Sequence, residues 1–151
     1  MKSFLADSWN QSDYGSVLYF ASHGSEGSIT LSDRESIDLR SLGQEPCLWG
    51  QCVGCYVHFS ACNVFENEAA VHDFIASTGA AAVSGYRTDV GWAESKKPAV
   101  PLDLMLFNQL WETGLERFDD DGTIEKLEAV EHDLQRRFGD CQFKMVLAAG
   151  E

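Results

Sequence analysis

Three observations predict an α/β fold, a mostly parallel sheet with helices on its faces. Two short runs, Val17–Ser22 and Tyr56–Ser60, are continuously apolar enough to be strands covered on both faces. Later segments switch to a helical period. The inferred order of strand, hairpin, strand, helix, strand, helix, helix, strand suits parallel strands joined by crossovers. The 151 residues also fit one domain, which at that length buries about 68–70% of its unfolded surface.

Each element has its own signal. Met1–Gly15 is polar and reads as an N-terminal lead-in, residues 1–15, leaving 16–151 as the domain. Val17–Ala21 is the first central strand, and Ser22–Gly27 is a turn cluster. Ser28–Leu31 and Ser36–Leu39 alternate polar with apolar residues, which predicts a small exposed hairpin. Leu42–Gly54 is ambiguous and accommodates a short helix around Cys47–Cys52. Tyr56–Ser60 is the second central strand, and a turn follows at Asn63–Phe65. A helix is expected over Glu66–Ser77, with Ala69, Ala70, Phe74 and Ile75 as its apolar face and Gly79 as its stop. Ala80–Ser84 reads as a small-residue strand and Gly85–Lys97 as a long loop. Pro98–Gly114 is a helix with Leu102, Leu106, Leu110 and Trp111 on one side. Asp119–Gly122 is a turn. Thr123–Phe138 carries Ile124, Leu127, Val130, Leu134 and Phe138 at helical spacing, and Phe143–Leu147 is the last strand.

Composition narrows the function classes. Apolar residues make up 44% and charged residues 23%, ordinary values for a globular chain. The formal net charge of -13 disfavours nucleic-acid and anionic-membrane partners, which need clustered Lys and Arg. No stretch approaches the ~18 apolar residues of a membrane span. The five cysteines are odd in number, and no charged segment followed by an apolar run precedes them. Free thiols in a reducing cytoplasm are therefore expected.

Two apolar runs end on chemistry-bearing residues. Tyr19-Phe20-Ala21-Ser22 runs into His23-Gly24, and Val57-His58-Phe59-Ser60-Ala61 runs into Cys62. In open α/β sheets the chemistry lies beyond the carboxyl ends of the strands. A thiol there needs a base to become a good nucleophile, and a neighbouring His supplies one.

This ordered pair of motifs resembles the caspase-like (clan CD) cysteine peptidases, which include caspases, legumains, clostripain and separase. The bacterial CHAT domain is most similar, from Ala21-Ser22-His23-Gly24 through Cys62-Asn63 to Ala80–Gly85, and the resemblance spans Ser16–Trp111. It implies a caspase-like sheet with a small hairpin after the first central strand. The N-terminal side is shortened, because the family usually has a strand-helix-strand unit before the His strand. It further implies Cys62 as nucleophile, His23 as general acid/base, and the N–H groups of Gly24 and Cys62 as oxyanion hole. The substrate would be a protein or peptide, and no cofactor is required. The loop after the third strand lines the substrate pocket in this family, which makes Asp89 a candidate to bind a basic side chain and Trp92 a candidate groove wall. The surround Ser60-Ala61-Cys62-Asn63-Val64 departs from the Gln-Ala-Cys-x-Gly of caspases and so from their Asp specificity. With its usual flanking unit missing, the His strand is expected near an exposed edge, where a partner chain or second copy would pair.

Other readings stay open on sequence grounds. Cys62 alone reads equally as a buried structural thiol, Asp89 as a solvated carboxylate and Trp92 as packing. The domain can also be read as a catalytically silent caspase-like interaction module. Cys47, Cys52 and Cys55 permit a small zinc-binding domain, with His58 as a further ligand, or Cys52 and Cys55 a redox pair.

Overall fold

The computed structural model describes residues 17–31, 34–91, 97–115, 117–119 and 122–148. The lead-in 1–15 and Trp92 lie outside them. Strands β1 (Val17–Ala21), β5 (Tyr56–Ser60), β6 (Ala82–Tyr86) and β7 (Phe143–Leu147) form one sheet in that order. β1, β5 and β6 run parallel, and β7 is antiparallel to β6. A second sheet holds β2 (Gly24–Ser25), β3 (Ser28–Thr30) and β4 (Ser36–Asp38), all antiparallel. This is the expected mixed α/β fold with its small hairpin. β1 is the edge strand, and its outer side has no strand partner among the described residues.

Helices cover both faces of the main sheet. Alternate side chains of β5 point opposite ways, as strand geometry requires. Val57 and Phe59 join a core with Phe20, Val83 and Phe74, closed by α1 (Leu39–Gly43) and α2 (Glu68–Thr78). Tyr56 joins the other core, with Tyr86, Phe143 and the inner faces of α3 (Ala99–Glu112) and α4 (Thr123–Arg137). Each fully buried aromatic or leucine stabilises the fold by about 1.5–3 kcal/mol.

Local chemistry sets the element ends. Asp38 caps α1 by accepting from the Ser41 N–H at 2.8 Å. The helix expected around Cys47–Cys52 is therefore replaced by one further upstream. Pro46 and Gly50, at φ 66°, divide the following stretch into successive turns. The helix expected from Glu66 begins at Glu68, because the Asn67 side chain caps the Ala70 N–H. Gly79 ends it at φ 80°. The third central strand lies at Ala82–Tyr86 rather than Ala80–Ser84. Gly85 is inside it because a Cβ there would sit 2.8 Å from the Phe65 ring. Three residues expected on apolar helix faces point outward: Ala69 is exposed, and Trp111 is 86% and Ile124 46% exposed.

Candidate active site

Register is what brings the strand-end residues together. Ala21 pairs with Ser60 across β1 and β5. His23 and Cys62 each follow that pair by the same short step, and the Ser22 N–H extends the ladder onto the Ser60 carbonyl at 3.2 Å. Ser22, His23, Ser60, Ala61, Cys62, Val90, Gly91 and Ala99 line one pocket of 220 Å³. His23 is exposed and Cys62 half-buried, so both are open to a substrate.

Backbone contacts fix the pair. The His23 carbonyl accepts the Thr30 N–H at 2.8 Å, which ties the end of β1 to the hairpin. Gly24 lies directly against the Cys62 backbone. A Cβ at Gly24 would sit 2.6 Å from the Cys62 carbonyl oxygen and 3.2 Å from its nitrogen. Asn63, just past the thiol, adopts a left-handed φ of 59°, and its N–H donates to the Thr88 carbonyl at 3.1 Å. The Asn63 side-chain amide also donates to Asp89. Asp89 is exposed at the rim, with one carboxylate oxygen already engaged.

The thiol rests on the loop after β6. It donates to the Val90 carbonyl and accepts the Val90 N–H, both at 3.3 Å. Gly91 continues the loop and its carbonyl accepts the Ala99 N–H at 2.7 Å, so α3 starts at the pocket wall. The N-terminal end of a helix carries partial positive charge and favours an anion nearby.

The other thiols differ. Cys52, Cys55 and Cys141 are buried. Burial, then the neighbouring Cys55, pushes the Cys52 thiol up to about 12. Burial, then the charges of Asp140 and Asp103, pushes Cys141 up to about 11. Cys47 is also raised, mainly by desolvation. Among the described residues no three His, Cys, Asp or Glu side chains converge to hold a metal, so the zinc reading of Cys47, Cys52 and Cys55 has no geometric support.

A buried polar cluster on the α3 side of the sheet was not foreseen. Asp103 of α3 accepts from His58 Nε2 and Ser60 Oγ, each at 2.6 Å, from Tyr19 at 2.9 Å, and from Tyr86. His58 Nδ1 meets Ser84 Oγ at 2.7 Å. Burial alone would raise the Asp103 carboxyl, but the bonds and charge from His58, then Ser60 and Tyr86, hold it below its ordinary range. This Ser-His-Asp set cannot act on substrate, because Ser84 and His58 are completely buried. The larger apolar groove of 650 Å³, lined by Val17, Tyr19, Phe107, Leu110 and Trp111 among others, holds no nucleophile.

Fold and site together define an α/β domain with a Cys-bearing pocket at the carboxyl ends of its parallel strands. The chain belongs to a family of unknown function, DUF6642, whose family model matches residues 1–135. No curated protein and no solved structure matches it.

Proposed function

We propose that the chain is a caspase-like cysteine endopeptidase acting through His23 and Cys62. The observation that carries this is the shared pocket of the two side chains, abreast beyond the paired residues Ala21 and Ser60. In the reaction the Cys62 thiol gives its proton to His23 and the sulfur attacks the scissile carbonyl carbon. The N–H groups of Gly24 and Cys62 stabilise the oxyanion. His23 returns the proton to the leaving amine as the C–N bond breaks, and water then hydrolyses the thioester. Asp89 at the rim supports a preference for a basic side chain before the cut. No helix among the described residues is long and apolar enough to cross a membrane, and the protein is proposed to work in the cytoplasm.

One observation favours a second reading, the catalytically silent module. The thiol proton points to the Val90 carbonyl. A single experiment separates the two. A peptidyl electrophile with Arg or Lys before the warhead should modify Cys62 in the native protein and spare Cys52 and Cys141. Cys62→Ala should abolish labelling and His23→Ala should slow it about 10²–10⁴-fold. Labelling that survives Cys62→Ala, or that is never seen with either a basic or an Asp peptide, removes the peptidase reading.

The partner expected at the sheet edge belongs to the same proposal. β1 offers an edge to which a second copy of the chain can add. Light scattering at high protein concentration should report a dimer, and a clean monomer would count against it.

A further inference from the structure

We propose that Asp103 is a positioning residue that sets the alignment of His23 with Cys62. The inference rests on the peptidase reading above. Asp103 does not line the pocket, so its effect must pass through the residues it holds. Its carboxylate takes hydrogen bonds from all three parallel strands: Tyr19 of β1, His58 and Ser60 of β5, and Tyr86 of β6. β1 leads into His23, and Ser60 lies just before Ala61-Cys62. Ser60 itself lines the Cys62 pocket. Asp103 also sits one helical turn beyond Ala99, the first residue of α3 and another wall of that pocket. One buried carboxylate thus ties both chemistry-bearing strands to the helix that begins beside the thiol.

Apolar packing would hold these elements close without fixing their offset. Hydrogen bonds do fix it, because they weaken steeply with distance and angle. Alignment matters most where two side chains must exchange a proton, since an error of about 1 Å costs about 10²-fold in rate. Around Asp103 the titratable groups are His58 of β5, Tyr19 of β1, Tyr86 of β6 and Cys141 before β7. None of these is His23 or Cys62, and Tyr19 lies outside their pocket, so removing its hydroxyl perturbs the dyad only through position, whereas Ser60 is also a pocket wall.

The test measures the rate of Cys62 alkylation by iodoacetamide against pH in the full chain, with thermal melts alongside. Tyr19→Phe and Ser60→Ala each delete a single bond to Asp103. Both should slow alkylation about 10–100-fold at neutral pH, and a His23→Ala change added to either should then cost less than it does in the wild type. Val130→Ala, a core truncation on α4, should lower Tm and leave the profile alone. Wild-type profiles in both hydroxyl variants, beside a wild-type rate that depends on His23, would overturn the positioning role and leave the peptidase reading standing. A wild-type rate indifferent to His23→Ala would remove the peptidase reading and this inference with it.

Discussion

Asp103→Ala is expected to lower stability by about 3–5 kcal/mol, a fall of roughly 6–20 °C in Tm for a chain of this size. The substitution strands four donors at once. His58, Ser60 and Tyr86 are buried with essentially no access to water, so their lost partner is not replaced by solvent. Tyr19 is 41% exposed and can turn outward, which makes it the least costly of the four. The same bonds make the contribution pH-dependent. The Asp103 carboxyl lies below its ordinary value of 3.8 in the folded chain. A depressed acid stabilises the fold fully above its unfolded value, and that share is lost as pH falls through the folded one. Denaturant melts should therefore show the gap between wild type and Asp103→Ala wide at neutral pH and narrowing below about pH 4. A gap unchanged down to pH 2 would mean that packing, and not the charge, is what Asp103 supplies.

How much of this was legible in the sequence follows from what each residue signals. β1 was readable as an unbroken apolar run and β5 as a mainly apolar one, and their ends delivered His23 and Cys62 directly. At the sheet edge, however, β1 is not covered on both faces as expected, since Val17 and Tyr19 are exposed. The hairpin was readable from alternation. The Asp103 cluster was not, for two reasons. His58 and Ser60 alternate with Val57 and Phe59, so within an apolar strand they look like tolerated polar residues. Only register with Ser84 on β6, and a helix above, makes them a network. Asp103 falls in step with Ala99, Leu102, Leu106 and Leu110, all buried. A lone carboxylate at a core position of an apolar helix face was the available signal, since such a group is kept only with partners. Trp111 misled because it adjoins Leu110 in sequence. Neighbours on a helix are about 100° apart, and Trp111 falls on the exposed groove side. The loop expected from Gly85 starts only after Tyr86, because Gly85 and Tyr86 belong to the strand, and its contact with the Cys62 sulfur through Val90 is a tertiary fact with no local signature.

Gly24→Ala is expected to cut Cys62 labelling by about 100-fold or more while the main sheet stays folded. Gly24 is required for space and not for backbone freedom, since its φ is not in the left-handed region occupied by Gly27, Gly54 and Gly79. The added methyl would lie 2.6 Å from the Cys62 carbonyl oxygen and 2.8 Å from Ala61 Cβ. Neither atom ends a flexible side chain, so the strain must be relieved by backbone movement. On the β5 side that movement displaces Cys62. On the other side it displaces the β1 end and β2, which are held by the Thr30 N–H on the His23 carbonyl and by the pairing of Gly24 with buried Ile29. Either route separates His23 from the thiol or turns the Gly24 N–H away from the oxyanion position. Gly139→Ala is the matched control, because a Cβ there meets nothing within 4 Å and its φ is ordinary. It should label at the wild-type rate. Equal rates in Gly24→Ala and Gly139→Ala would show that the close approach of the two strand ends has no part in the chemistry. A loss in Gly24→Ala with unchanged melting ties the missing side chain to the site itself.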